Sequence, residues 1–257
     1  MEPAIQVGPQ RLDTPELIQK IRQYRLLPKL VQELVIDRLI ADIPCDQQVA
    51  YDDYCVCNQL VTEEQRQAWC QQHQLESEHL MAEAIREYRL NRFKEDTWGS
   101  EIQNYFLKRK PQLDRVIYSL IRTKDAGLAQ ELHFRLRDDA NSSFADLARQ
   151  YSDGKEAQTG GLAGPIELSV PHPTLGRMLQ VSRPSQLWPP TQIGEWLVIV
   201  RLEKLIPAQF DDAMRQRLLN EQFQGFLKQQ MQANPVKLLA LREQSAEPDS
   251  VIERVSA

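Results

Sequence analysis

Between Arg115 and Lys204 the chain changes its hydrophobic period, and this change restricts its possible folds more than any other feature. The segment opens on Arg115-Val116-Ile117-Tyr118-Ser119-Leu120-Ile121-Arg122 and closes on Gly194-Glu195-Trp196-Leu197-Val198-Ile199-Val200-Arg201-Leu202-Glu203-Lys204. Both runs are short, apolar and rich in β-branched residues, so they read as strands. Between them, Asp125 to Arg137 sets Ala126, Leu128, Ala129, Leu132 and Leu136 at helical spacing. Ser143 to Tyr151 reads as a second helix with Ser143 as its N-cap, and Pro173 to Gln180 as a third carrying Leu175, Met178 and Leu179. Gly160 to Gly164 forms a glycine-rich turn into a short strand that reaches Ile166. Pro189-Pro190 confines that stretch to a bend or a sheet edge, because proline donates no ladder hydrogen bond. Strands at both ends with helices between them predict an α+β unit, a small antiparallel or mixed sheet packed against helices.

The flanks are helical. Residues 1–13 read as an irregular lead-in, and Thr14-Pro15-Glu16 as a helix start with Thr14 as the cap. From Leu26 to Ile43, the residues Leu30, Leu34, Ile36, Leu39, Ile40 and Ile43 are dense enough to bury most of a helix. Thr62-Glu63-Glu64-Gln65 is a capping box before a helix to Gln72. Leu80, Met81, Ala84, Ile85, Tyr88 and Phe93 keep a 3.6-residue period to about Lys94, and a further helix from Glu101 ends at Pro111. After Pro207, Met214, Leu218, Leu219, Phe223, Phe226, Leu227 and Met231 form a broad apolar stripe on a helix from Asp211 to Ala233. That stripe must be covered, by the N-terminal helices or by a second copy in a homodimer. The expected domains are an N-terminal helical domain over 1–111, an α+β domain over 112–206, a C-terminal amphipathic helix packing on the helical domain over 207–243, and a polar tail over 244–257.

Several function classes drop out. The net charge is −5 with acids and bases interspersed, which gives no basic stripe for nucleic acid. The most apolar run, Leu34–Ile43, is interrupted by Asp37, Arg38 and Asp42, so no membrane span is expected. Met1 to Gln6 lacks the apolar core of a signal peptide. The four cysteines, Cys45, Cys55, Cys57 and Cys70, do not have paired zinc-ligand spacing and read as ordinary thiols of a reducing cytoplasm. Neither a metal nor a cofactor is expected.

The order strand, helix, Phe144-Ala145-x-Leu147-Ala148-x-x-Tyr151-Ser152-Asp153, Gly160-Gly161-x-x-Gly164, helix, Arg183-Pro184, and Gly194 with Ile199-Val200-x-Leu202-Glu203 resembles the parvulin family of peptidyl-prolyl isomerases. The helical flanks resemble foldases of the SurA and PrsA type, in which N-terminal helices and a C-terminal helix form a chaperone module around a parvulin insert. The resemblance implies a folding factor acting on X–Pro bonds, with proline-containing or unfolded segments as partners.

Rotation about X–Pro crosses a barrier of roughly 18–20 kcal/mol without making or breaking a covalent bond. A catalyst therefore needs a dry apolar cup for the proline and polar groups that favour the twisted amide. In the family, the polar part is a histidine on each central strand near a Cys or Asp. Carried over residue by residue, the first-strand histidine falls at Tyr118, and the Cys/Asp at Gly154 with Asp153 directly before it. The last-strand histidine falls at Val198, or at Trp196 if the gap is placed differently. The cup falls at Pro171, Leu175 and Met178, with Leu162 in the glycine turn. The family's Gly-Asp-Leu-Gly turn is here Gly161-Leu162-Ala163-Gly164, without the acid. His172 lies on the approach to the cup and reads as a solvated loop residue. The polar half of the site is thus substituted while the apolar scaffold persists. An isomerase with weak or lost activity is one reading. A catalytically inactive chaperone or peptide-binding module is the alternative, and a domain that only stabilises a helical scaffold is a third.

Overall fold

The computed structural model describes residues 4–233 apart from Gln74 and Ala140, so the expected polar tail lies outside the described residues. The chain divides into two compact units, residues 92–222 and residues 1–91 with 223 onward. Each is built from its own helices and core. The divisions fall inside two long helices, whereas the boundaries expected from the sequence were 111/112 and 206/207.

The first unit opens on a hairpin, β1 (Ile5–Val7) with β2 (Gln10–Leu12), in place of the expected irregular lead-in. Gly8, at φ +57°, makes the turn between them. Helix α1 (Thr14–Gln23) is capped by Asp13, not Thr14: the Asp13 carboxylate accepts from Glu16 N, and Asp13 N donates back to Glu16. Helix α2 (Leu27–Ile40) buries only Ile36 and Ile40, while Leu30 and Leu34 stay exposed. The expectation of a helix buried on most sides is therefore corrected. Helix α3 (Gln47–Cys57) has no counterpart in the sequence reading. It presents Ala50, Tyr54 and Cys55 to a core completed by Leu60, Cys70, Leu80 and Ala84. Helix α4 (Glu63–His73) carries the expected capping box, Thr62 N donating to Gln65 and Gln65 N to Thr62 Oγ1. Helix α5 (Ser77–Trp98) follows and crosses into the second unit.

The second unit begins with α6 (Ile102–Leu113), which continues through Pro111 instead of ending there. Pro111 lies in the last turn, so the hydrogen bond it lacks and the crowding of its ring affect only the end of the helix. The sheet has the order β4 (Leu162–Glu167), β3 (Arg115–Thr123), β6 (Trp196–Ile206), β5 (Thr191–Ile193), and every pairing is antiparallel. Helices α7 (Ala126–Asp138) and α8 (Phe144–Tyr151) cover one face, where Leu132, Phe144, Leu147 and Ala148 meet Ile121 and Ile199. Helix α9 (Pro173–Val181) covers the other, where Leu175, Met178 and Leu179 meet Val116, Tyr118, Val198, Val200 and Leu202. Strand parity thus sends alternate residues of β3 and β6 to two different cores. The fold class is α+β, as expected.

Helix α10 (Asp212–Ala233) divides its stripe between the units. Within the second, Leu218 and Leu219 pack with Ile102, Phe106 and Leu113 of α6. Arg109 and Tyr105 bond to Glu221, and Arg217 grips Glu167 at the end of β4. Phe223 and Leu227, which belong to the first unit, are buried as well. One chain covers these four positions itself, so they offer nothing to a homodimer.

Candidate functional site

Of the positions expected to carry the chemistry, Tyr118, Val198, Trp196, Leu175 and Met178 come together on the α9 face of the sheet. A bulge between Ile117 and Tyr118 shifts the register, so Tyr118 stands opposite Leu202, and Val198 opposite Arg122. Leu175, Met178 and Val198 are at most 7% exposed and belong to a packed core rather than an open cup. Tyr118 is equally buried, yet nothing among the described residues hydrogen-bonds to its hydroxyl, and the oxygen still meets solvent. Burial, and then the Glu156 carboxylate, push its pKa above the ordinary tyrosine value. Tyr118 is therefore a neutral donor across the physiological range.

The remaining polar groups are ones that reading the sequence missed. Arg122, two residues beyond Leu120 on the same face, brings its Nε to 3.0 Å from Glu156 Oε1, an ion pair without hydrogen-bond geometry. Its guanidinium carbon lies 5.2 Å from the centre of the Trp196 ring, and Lys124 Nζ lies 4.6 Å from the same ring. Trp196, packed at the edge of this core, is thus an aromatic platform for two cations. Lys124 is also paired with Glu195 at 2.7 Å. The only sequence signal for this group was the alternation that puts Arg122 in step with Tyr118.

The loop after α8 holds the strand in place. Arg122 N donates to Ser152 Oγ, Ser152 Oγ donates to Glu156 Oε1 at 2.8 Å, and Asp153 N donates to Arg122 O at 2.9 Å. Asp153 enters the site through its backbone, and its side chain is exposed. At Gly154, where the family's Cys or Asp would stand, an added Cβ would overlap Arg122 Nε and both Glu156 oxygens. The ion pair has taken the space of the missing side chain.

Three positions lie elsewhere. Leu162 pairs with Ser119 in the ladder and sits on the face opposite Tyr118, so it is no part of a cup around Leu175. Pro171 is half-buried ahead of α9 and is absent from the cluster. His172 is exposed and caps α9, its Nδ1 accepting from Thr174 N at 3.3 Å, so it is a structural residue and not a free loop group.

Chemically, the arrangement offers one neutral donor, two paired cations and an indole face. It can donate a hydrogen bond from Tyr118 to an amide brought against it. No helix among the described residues is long and apolar enough to cross a membrane. No family model and no curated protein matches the sequence. Among solved structures, the chain is similar to the peptidylprolyl isomerase PrsA from Bacillus anthracis, at 15% identity over 82% of this chain and 100% of that one, with a TM-score of 0.47. It is similar to the foldase protein PrsA from Streptococcus pneumoniae, at 15% identity over 95% and 96%, with a TM-score of 0.40. A third likeness is to a protein from the Campylobacter jejuni study of PEB4 and the periplasmic protein Cj1289, both described as SurA-like chaperones, at 14% identity over 93% and 100%, with a TM-score of 0.36. At such values no residue's role carries over to this chain.

Proposed function

We propose that this chain is a parvulin-like folding factor that acts on X–Pro bonds of unfolded proteins through a degenerate, slow site. The observation that carries the reading is Tyr118. It stands where the resemblance puts the first-strand histidine, on the α9 face of an antiparallel sheet, with a protonated hydroxyl that no described residue bonds. A hydrogen bond from that hydroxyl to the substrate amide, strengthened as the amide loses conjugation, favours the twisted state. One neutral hydrogen bond contributes about 1 kcal/mol, or somewhat under tenfold in rate. The site is therefore slow by construction. A protease-coupled assay on an Ala-Ala-Pro-Phe peptide tests it: acceleration at tens of micromolar protein is expected, and Tyr118→Phe is expected to remove most of it. Relaxation at the uncatalysed rate with the unaltered chain would end the isomerase reading.

A second reading, binding without catalysis, is favoured by the burial of Leu175, Met178 and Val198, which leaves no preformed cup. It predicts that the chain suppresses aggregation of an unfolding client whether or not the client contains proline. Suppression confined to proline-containing clients would count against it. We further propose a reducing compartment, the cytoplasm, a reading with which the free thiols of Cys45, Cys55, Cys57 and Cys70 are compatible. Fractionation of cells checks this, and recovery outside the cytoplasm would reverse it.

A further inference from the structure

A cavity of about 600 Å³ opens on the face of the sheet opposite Tyr118. Ser119, Arg201 and Glu203 alternate with the residues of the α9 face and so point into it. Its walls combine the ring of Phe144 and the side chain of Leu162 with the guanidinium groups of Arg149 and Arg201. Leu162, 51% exposed, supplies the apolar surface of the lining.

Arg201 is held on two sides. Its Nε donates to Glu203 Oε1 at 2.8 Å, and the same oxygen accepts from Ser119 Oγ at 2.6 Å. Its guanidinium carbon stands 4.9 Å from the centre of the Phe144 ring. The two terminal amino groups have no hydrogen-bond partner among the described residues. A planar fork fixed in this way is preorganised for a flat, bidentate acceptor. Arg149 adds a second cation, tied only by Nη1 to Asp146 at 3.0 Å. Arg149 is paired with Asp146 and Arg201 with Glu203, so the local charges balance, and attraction for an anion rests on the two terminal amino groups of Arg201 that no described protein group occupies. Phe144 and Ala145, the first residues of α8, also face the cavity, and that end of the helix carries a partial positive charge.

We propose that this cavity is a second ligand site, one that takes the C-terminal carboxylate of a peptide ending in an apolar residue. The carboxylate lies on the two unbonded amino groups of Arg201, and the last side chain lies against Leu162. An inorganic anion would leave Leu162 unused, and the volume suits a few residues rather than an ion. The site lies on the other face of the sheet from Tyr118 and does not depend on the isomerase reading.

The test is a titration of the full chain with a fluorescent pentapeptide ending in leucine, as the free acid and as the C-terminal amide. The free acid is expected to bind, and the amide about tenfold or more weaker, because a charged hydrogen-bond pair is lost. Arg201→Gln should weaken the free acid to a similar extent. Since that change also strips Glu203 of its partner, Leu162→Asp, at an exposed position, provides an independent variant with the same expected loss. Absence of binding by the free acid, or equal binding of acid and amide, overturns the proposal. Displacement by inorganic phosphate at concentrations equal to those of unlabelled peptide also overturns it, in favour of a plain anion site.

Discussion

At Gly154 the reason for the glycine is the neighbouring Arg122–Glu156 ion pair and not the backbone, which is extended there (φ −113°, ψ 175°). Gly154→Asp, which restores a family residue, therefore displaces two side-chain ends, and the loss of a partly exposed ion pair costs about 1 kcal/mol or less. Gly161 is a different case. It has φ +82°, and an added Cβ would sit 2.7 Å from Leu120 O and 3.0 Å from the Ala148 Cβ. Gly161→Ala is expected to cost about 1–3 kcal/mol from backbone conformation alone, with the steric clash in addition. Urea unfolding of both variants checks the order, and a larger loss at Gly154 would show that the ion pair matters more than the turn. His133, buried on α7, has its pKa lowered by burial and then by Arg137, against a smaller opposing effect of Asp138. The unfolded chain takes up this proton first, so the stability from neutral His133 is complete above the ordinary histidine pKa and is lost as pH falls through the folded value. His133→Gln should flatten the fall in urea midpoint between pH 7.5 and 5, and an unchanged fall would assign it to other groups. What the sequence conveyed at this scale was position along the strand, not direction. Tyr118, Val198, Leu175 and Met178 did come together, but Leu162 went to the opposite face because one residue of register inverts a strand. Arg122 and Glu156 were invisible because they meet across a loop.

The elements were most legible where a cap and an apolar period agreed. Asp125 accepts from Gly127 N at 2.8 Å and Leu128 N at 3.0 Å and so fixes the start of α7, and Ser143 does the same for α8 through Asp146 N. Asp125→Ala is expected to lower stability by about 1 kcal/mol, measured as a shift in thermal midpoint, with Asp125→Asn restoring most of it. Helix α3 escaped notice because its buried face is Ala50, Tyr54 and Cys55, residues that do not mark an aliphatic stripe. Helix α2 misled in the opposite sense. Its leucines are dense, but the unit covers only the side bearing Ile36 and Ile40. Density of apolar residues gives the number of faces a helix could bury; the partners available determine how many it does.

The second unit is continuous in sequence from 92 to 222, whereas the first draws on two separate stretches of the chain, one before residue 92 and one after residue 222. The second holds the sheet, the cores on both of its faces, and the packing of Leu218 and Leu219 on α6, all drawn from within those limits. A fragment of residues 92–222 is therefore expected to fold alone, with a single cooperative urea transition and the near-ultraviolet signal of a packed Trp188 and Trp196. The fragment 1–91 lacks Phe223 and Leu227, each 2% exposed in the full chain, and should show a broad, weakly cooperative transition. Within the second fragment, Leu218→Ala removes a fully buried side chain and should cost about 2–5 kcal/mol. If 92–222 fails to fold while the full chain does, then cutting α5 and α10 removes support that the unit's own cores do not replace. The two units would then unfold as one cooperative body.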